Sequence, residues 1–414
     1  MFRDKVYKTV RSRSDEGNRK YSTQKSTNMK RIFKNHALVS ALCVSSLIVF
    51  NSCQKSLEKE SANSVEEFAG IAKPPKLTKN FEQVNLVANT NEYGAIRVDP
   101  TLVNPWGLVF NGTGAVAWPA SEGSGLSQLY SNNATMSSPR APVIIPTFNA
   151  TSGGHPTGIV FNPTNFFKVP LTTARVNFIF AGVDGVISAW NGANNAILTV
   201  NNSSNSAYTG LALGRDGVDS FLYAADFRGQ QIDVFNKDYV QVNTKPFVDP
   251  NLPAGYAPFN IQNIDGLLYV LYAKVGPMGR SEAGDGFGYV NIFYPNGMLQ
   301  SRLISNGELN APWGVAKGPA SYLGDENTGK HTITDSIIIV GNFGNGRINA
   351  YTKQGQFLGT FKTSRGPIVI DGLWAIIFPP ASTSATAFNK AFLYFTAGPE
   401  LERDGIFGYL KKQD

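Results

Sequence analysis

Polar side chains recur at or beside a repeated tripeptide and could bind a metal ion or a ligand. Asn104, His155, Asn260, Asn310 and Asp371 each stand at or beside a segment that contains or resembles Pro-Trp-Gly. Oxygen-rich ligand sets without thiolates favour Ca²⁺ or Mg²⁺ over zinc. Asp and Asn also cap turns and satisfy amides at strand ends. The sequence leaves both interpretations open.

The sequence lacks the residues that several other kinds of catalytic site require. Beyond Cys53 the chain has no cysteine, which excludes a thiolate nucleophile or a disulfide framework in that part. Only His155 and His331 follow the first fifty residues, in different repeats, so a histidine zinc site is disfavoured. The segment GNFGNG (341–346) is glycine-rich but lacks the lysine of a P-loop, which indicates a turn.

The tripeptide belongs to a repeat that covers most of the chain. Its third positions are spaced by 51, 52, 50, 54 and 61 residues, and they are Trp106, Thr157, Thr209, Phe259, Trp313 and Trp374. A second signature follows inside each unit, such as GVISAW (185–190) or GRINAY (346–351). Short β-branched and aromatic runs separated by turn residues, without a helical period, indicate β structure.

Six units of this size predict a six-bladed β-propeller over residues 81–414. The segment FEQVNLVAN (81–89) precedes the first unit, and we expect it to close the ring by pairing with the last one. Each Pro-x-Gly would begin the innermost strand of a blade, where proline needs no ladder donor. Gly107 and Gly314 would let strands crowd at the axis.

The repeated tryptophans have a structural interpretation. We expect Trp106, Trp313 and Trp374 to cover the spaces between blades. Because the first and fifth blades would be far apart, the contributions of Trp106 and Trp313 to stability should nearly add. A platform of aromatic side chains for a carbohydrate or peptide is the functional alternative. Insertions at 276–288 and 318–335 interrupt the repeat, and we expect ligands or partners to be met there.

Long motifs of this region resemble a known family. NPWG (104–107), DPNLPAGYAPFNIQNI (249–264) and IDGLW (370–374) are similar to those of exported bacterial proteins catalogued as conserved hypothetical. That family is related in pattern to six-bladed propellers of the NHL type. The resemblance implies a propeller fold and export, and it implies no established activity.

The positive charge of the chain is confined to its beginning. Of 37 basic and 30 acidic side chains, 11 and 3 lie in residues 1–34, which leaves 26 and 27 for the remainder. A nucleic-acid partner is therefore not expected. Lys30, Arg31 and Lys34 precede an apolar run at 37–50, as in a secretory signal that is too short to span a membrane.

Cys53 directly follows this signal and resembles the acylated cysteine of a bacterial lipoprotein. We expect residues 1–28 to reflect a start annotated too early, 29–52 to be the signal peptide, and 53–80 to be a polar tether on a membrane lipid. The protein would then be extracytoplasmic, in the periplasm or at the outer membrane, and a monomer. An ordinary cleaved signal with an incidental cysteine is the alternative.

Two functions follow from these patterns. The first is a lipid-anchored propeller that acts as a binding or scaffold module for a protein, peptide or carbohydrate. The second is a lactonase-like hydrolase that uses a divalent ion at the mouth of the channel. Fold alone does not choose between them, and the lack of a recognisable catalytic motif favours the first.

The lipid anchor has a direct test. Replacing Cys53 by alanine should release the protein from the membrane fraction, because no acyl chain could be attached. Fractionation followed by immunoblotting measures the change, and Ser52→Ala serves as the matched control. Unchanged membrane association of Cys53→Ala would contradict acylation at this residue.

Overall fold

The computed structural model describes residues 76–134, 141–323 and 336–413. The predicted signal peptide, Cys53, most of the tether and His331 lie outside these ranges. Within them, no helix is long and apolar enough to cross a membrane.

In the described parts of the chain, six sheets form the blades of a ring and a seventh sheet has only two strands. The strands of each blade follow one another outward from the centre in chain order, except that the first strand of the chain lies outside the last blade's third strand. The innermost strands are β3 (Pro105–Phe110), β8 (Pro156–Phe161), β12 (Tyr208–Asp216), β15 (Tyr256–Ile264), β20 (Pro312–Gly318) and β26 (Leu373–Ile377). The second strands are β4 (Val116–Ser121), β9 (Phe178–Gly182), β13 (Asp219–Asp226), β16 (Leu267–Val275), β21 (Ile337–Asn342) and β27 (Leu393–Ala397).

The third strands carry the second sequence signature. They are β5 (Leu126–Ser127) with β6 (Tyr130–Ser131), β10 (Val186–Trp190), β14 (Gln231–Phe235), β18 (Tyr289–Phe293), β22 (Ile348–Tyr351) and β28 (Ile406–Lys412). The outer strands are β7 (Val143–Ile144), β11 (Ile197–Asn201), β19 (Leu299–Ser305), β23 (Phe357–Thr360) and β1 (Phe81–Ala88). The last residues of three of these strands are large, buried aromatic residues: Trp190, Phe235 and Tyr351.

The remaining elements are short. Four additional strands are β2 (Arg97–Val98), β17 (Ser281–Glu282), β24 (Lys362–Thr363) and β25 (Gly366–Pro367). The helical turns are three 3₁₀ segments, Asn91–Tyr93, Pro277–Gly279 and Ala320–Leu323, and α1 (Pro399–Glu402).

The ring is closed by the segment that precedes the first repeat. Strand β1 pairs antiparallel with β28, from Phe81 opposite Lys412 to Ala88 opposite Ile406. The innermost strands of the first and last blades, β3 and β26, also contact each other. The predicted six-bladed propeller closed by an N-terminal strand is thus confirmed, and closure removes two sheet edges that would otherwise be exposed.

Every innermost strand has a register shift at the same place, the third residue of the repeat. The shifts fall at Pro105/Leu108, Pro156/Gly158, Tyr208/Gly210, Pro258/Asn260, Pro312/Gly314 and Leu373/Ile376. A β-bulge leaves the extra residue without a ladder partner and re-aims its side chain. The side chain of the third residue therefore does not follow the alternation between the two faces of the sheet.

The bulges bring the repeated tryptophans together at the centre of the ring. The ring of Trp106 stacks on that of Trp374 with centroids 3.6 Å apart and contacts that of Trp313 edge-on at 6.3 Å. Phe259, from the blade opposite, also contacts Trp106 at 6.3 Å. Side chains from opposite blades can meet only at the axis. The expectation that these tryptophans cover separate spaces between blades is therefore wrong.

The repeated glycines allow neighbouring innermost strands to approach closely, as predicted. A Cβ atom on Gly107 would lie 2.5 Å from the carbonyl oxygen of Thr157 in the next blade. One on Gly314 would lie 2.7 Å from the carbonyl oxygen of Trp374. Both distances are far shorter than a van der Waals contact, so a larger side chain would push the blades apart.

Closure by β1 predicts unequal effects of two deletions. Removing residues 81–89 would leave the edge of β28 unpaired and eliminate the buried side chains of Phe81 and Val87. Loss of one such large side chain costs about 3–5 kcal/mol, so the free energy of unfolding should fall by at least that amount. Urea unfolding measures it.

The matched control deletes residues 54–75. This control spares Leu77, which is buried and whose amide donates a hydrogen bond to Leu358. Its stability should stay close to that of the intact chain. Equal tolerance of both deletions would mean that pairing of β1 does not hold the ring closed.

The axial contact predicts that two distant repeats are energetically coupled. Trp106→Phe and Trp313→Phe should each cost about 0.5–3 kcal/mol, as usual for buried substitutions. Because the two rings touch, the loss in the double variant should differ from the sum by about 0.5–3 kcal/mol. Denaturant unfolding of the four proteins measures the coupling.

Trp118 supplies the control for this cycle. Its ring stacks on Phe178 at 4.0 Å in a different cluster. Losses in Trp118→Phe and Trp313→Phe should therefore add to within about 0.5 kcal/mol. Equally additive losses in the axial pair would contradict the shared cluster.

Candidate functional site

A cavity of about 330 Å³ opens at the end of the channel where the innermost strands begin. The axial aromatic side chains form its floor, and its rim carries two carboxylates and two guanidiniums. The residues used below are Trp106, Glu122, Arg228, Arg280, Trp374 and Glu402. A second cavity, of about 460 Å³ at the opposite end, has no charged residue in its lining. The charges therefore single out the first cavity, here named the channel-mouth cavity.

Stacked rings form the floor of this cavity. Phe343 stacks on Trp374 with centroids 4.0 Å apart, in addition to the stacking of Trp374 on Trp106. The indole nitrogens of Trp313 and Trp374 donate hydrogen bonds to the carbonyl of Thr209 and to the Asn104 side chain. The Nε1 of Trp106 is buried and finds no acceptor among the described residues. A buried donor without a partner costs about 1–3 kcal/mol.

Asn104 connects the floor to the two carboxylates. Its Oδ1 accepts from Nε1 of Trp374 at 3.0 Å, and its Nδ2 donates to Glu122 Oε2 at 2.8 Å and Glu402 Oε2 at 3.2 Å. The residue is 1% exposed and has a φ of 45°. Gly398 makes room for it, since a Cβ there would lie 2.1 Å from the Oδ1 atom.

Glu402 is presented by a left-handed turn. Glu400, Leu401 and Glu402 have φ angles of 56°, 58° and 68°, and Asp371 accepts a hydrogen bond from the amide of Glu400 at 3.0 Å. Left-handed helical backbone costs about 1–2 kcal/mol per non-glycine residue. Such strain persists where the surrounding structure enforces it, often at functional sites.

Glu122 is the meeting point of two side chains. His155 Nδ1 lies 2.8 Å from its Oε1, while Asn104 binds its Oε2. Burial raises the pKa of Glu122, but the hydrogen bonds from His155 and Asn104 outweigh it and hold the pKa below the ordinary glutamate value. The hydrogen bond to Glu122 raises the pKa of His155, which burial opposes.

The environment of Glu402 acts in the opposite direction. Burial raises the pKa of Glu402 above the ordinary value, and the charge of Glu122 adds to this. The positive charge of Arg280 and the hydrogen bond from Asn104 offset only part of the rise. Two carboxyl groups on one amide thus have pKa values displaced in opposite directions.

Arg228 and Arg280 stand on the rim and are exposed. Neither guanidinium has a hydrogen-bond or ion-pair partner in the described parts of the chain. Arg280 lies in the insertion at 276–288, so this loop borders the cavity. Its charge lowers the pKa of Glu122 and of Glu402, so it lies within electrostatic reach of both.

The five predicted site residues do not share one site. Asn104 and His155 meet at Glu122, and Asp371 acts one step away through the amide of Glu400. Asn260 donates to the carbonyl of Trp313, and the Asn310 side chain accepts from the amide of Gly284. Among the described residues no three His, Cys, Asp or Glu side chains cluster as metal ligands. The Ca²⁺ or Mg²⁺ ring stays a prediction.

Glu122, Glu402, Arg228 and Arg280 were missed in the sequence. Glu122 directly follows β4, the position that Val183 and Phe343 occupy after their second strands, so the repeat itself could have located it. Glu402 and Arg280 lie in loops without counterparts in the other blades. Only the closed ring brings them to the same cavity.

Comparisons with known proteins place the chain among uncharacterised relatives. No protein-family model matches it. Uncharacterised protein L690 of Acanthamoeba polyphaga mimivirus is 28% identical over 84% of this chain and 90% of that protein. Uncharacterised protein R648 of the same virus is 30% identical over 353 residues, 82% of each chain.

Solved structures with a similar course of the chain have low sequence identity. Virginiamycin B lyase from Staphylococcus aureus gives a TM-score of 0.46 at 14% identity, over 80% of this chain and 99% of that one. A protein of unknown function from Bacteroides thetaiotaomicron gives 0.46 at 10% identity, over 81% and 74%. Similarity at this level says nothing about activity. The match to R648 is close enough to show common ancestry, and the chain belongs to the same protein family as this mimivirus protein.

Proposed function

We propose that the protein is an exported, lipid-anchored β-propeller that binds a small, acidic, hydroxyl-rich molecule such as a sugar acid in its channel-mouth cavity. The observation that carries the proposal is a pair of guanidiniums in the lining, Arg228 and Arg280, which have no side-chain partner among the described residues and stand beside the stacked indoles of the cavity.

The charges of the cavity support the acidic character of the ligand. The guanidiniums of Arg228 and Arg280 have no partner among the described residues and can bind a carboxylate in bidentate fashion. An organic cation would meet these two positive charges and is disfavoured.

The other groups of the cavity support hydroxyl groups on the ligand. Ionised Glu122 accepts hydrogen bonds, and a carboxylate has about four acceptor positions, of which His155 and Asn104 use two. The stacked faces of Trp106 and Trp374 offer an apolar surface for the C–H face of a sugar ring. A volume of about 330 Å³ is at the small end of ligand sites and suits one or two sugar rings.

The proposed cellular location rests on the sequence alone. The basic residues 30–34, the apolar run 37–50 and Cys53 together have the order of an export signal followed by an acylated cysteine. The polar segment 53–80 would then hold the propeller at a distance from the membrane surface, with the cavity open to the extracytoplasmic solution.

Binding is tested with two sugars that differ by one carboxylate. D-Glucuronate should bind the intact mature chain and change its tryptophan fluorescence, whereas D-glucose should bind much more weakly. Arg280→Gln should reduce glucuronate affinity about 10–100-fold, because a charge-assisted hydrogen bond is worth about 1.5–3 kcal/mol. Fluorescence titration and calorimetry measure both effects.

Arg365→Gln is the matched control, since Arg365 is exposed in the turn between β24 and β25 and does not line the cavity. It should bind glucuronate like the intact protein. Equal affinity for both sugars, or equal losses in the two arginine variants, would contradict recognition of the carboxylate by Arg280. Absence of binding by either sugar would contradict the sugar-acid proposal.

A further inference from the structure

We infer that the channel-mouth cavity also hydrolyses the glycosidic bond of its ligand, with Glu402 as the proton donor and Glu122 as the carboxylate that receives the sugar. The inference rests on the proposed function, because the sugar must first bind in this cavity. It needs no metal ion, unlike the lactonase-like alternative, and it uses residues that the sequence patterns did not point to.

The first argument is the separation of the two carboxyl groups. Both are bonded to the same Nδ2 atom of Asn104, at 2.8 and 3.2 Å, so their bonded oxygens lie within about 6 Å of each other. Glycosidases that invert the anomeric centre separate their carboxyl groups by roughly 6.5–9.5 Å to admit a water molecule. Those that retain it use roughly 5–5.5 Å. The two bonded oxygens are therefore closer to each other than the inverting range, and on this ground we infer retention.

The second argument concerns which of the two carboxyl groups carries a proton. Both oxygens of Glu122 are in hydrogen bonds, to His155 and to Asn104, which favours its ionised form, whereas in the described parts of the chain only Oε2 of Glu402 accepts one. Asn104 donates to Oε2 of Glu402, so the proton of that carboxyl group belongs on Oε1. Oε1 has no partner among the described residues and is free to donate to a ligand.

The third argument is the chemistry that the cavity lacks. The described residues around the cavity include no histidine-activated hydroxyl, because His155 is bonded to Glu122 and Thr209 donates its hydroxyl to the carbonyl of Ala225. Cleavage of an acetal needs only an acid and a carboxylate that stabilises the positively charged sugar. The cavity has both.

The fourth argument is the strained backbone conformation that positions Glu402. Three consecutive left-handed residues end in this carboxylate, and Asp371 binds the first of them through its amide. A carboxyl group that served only to cap Asn104 could have been supplied from unstrained backbone. Asp371 is therefore assigned as a positioning residue for Glu402.

The reaction has two balanced steps. In the first, Glu402 gives its proton to the glycosidic oxygen while an oxygen of Glu122 attacks the anomeric carbon, so the alcohol leaves and a glycosyl ester of Glu122 forms. In the second, Glu402 takes a proton from water, whose oxygen displaces Glu122 from the anomeric carbon. The sum is glycoside plus water to sugar plus alcohol, with the anomeric configuration retained.

The test uses the two anomers of 4-nitrophenyl D-glucuronide with the intact mature chain. One anomer should be cleaved, and Glu402→Gln and Glu122→Gln should each lower kcat about 10²–10⁴-fold without abolishing fluorescence-detected binding. The rate should rise with pH as Glu122 ionises and fall as Glu402 loses its proton, and Glu402→Gln should lose the alkaline limb. Proton NMR of the first product should show retention.

The controls separate this inference from the proposed function. Glu82→Gln, on the exposed face of β1, should retain full activity. Glucuronide that binds but is not cleaved between about pH 4 and 8 would overturn hydrolysis and leave binding intact. Failure to bind either anomer would overturn both. Inversion of configuration, or equal losses in Glu82→Gln and Glu402→Gln, would overturn the assigned roles.

Discussion

The channel mouth depends on the packing of aromatic side chains at the axis of the ring. Trp106, Trp313 and Trp374 come from the first, fifth and sixth blades, yet their rings are in mutual contact. Each is directed there by a bulge in its innermost strand. Aromatic pairs contribute about 0.5–1.5 kcal/mol beyond the area that they bury. The cluster lies at the centre of the ring, and the channel-mouth cavity lies against it at the end where the innermost strands begin.

Asn104 transmits this packing to the charged groups. Its carbonyl oxygen is held by the indole of Trp374, which fixes the direction of its amide and therefore the positions of Glu122 and Glu402. Every polar atom of this side chain has a partner, as a buried amide requires. The backbone cost of its φ of 45° is compensated by these three hydrogen bonds.

Closure of the ring and construction of the cavity use the same segment of chain. The amide of Asn104 donates to the carbonyl of Asp404, two residues after Glu402. The carboxylate of Asp404 accepts from Asn89 at 2.9 Å and from the hydroxyl of Tyr93 at 2.5 Å, just beyond the closing strand. Burial and the carboxylate of Asp404 raise the pKa of Tyr93, which keeps its hydroxyl a donor. The N-terminal segment thereby supports Glu402 as well as the sheet.

The sequence by itself determined the architecture, because an architecture built by repetition leaves a repeated pattern. The spacing of Trp106, Thr157, Thr209 and their counterparts counted the blades, the alternation in 81–89 identified the closing strand, and Gly107 marked the crowded axis. Asn104 and His155 were recognisable because they precede repeated strands. Glu122 occupies the same position in its repeat as Phe343, directly after the second strand. That equivalence is present in the sequence, but it became visible only once the ends of the second strands were known.

Only the tertiary structure decided where the side chains of these repeats meet. The bulges that turn Trp106 and Trp313 toward each other depend on cross-strand register, which a linear pattern does not contain. Glu402 and Arg280 lie in loops that differ from blade to blade, so no period points to them. Glu122 and Glu402 are 280 residues apart in the chain and become neighbours through one amide, because closing a ring joins its first blade to its last.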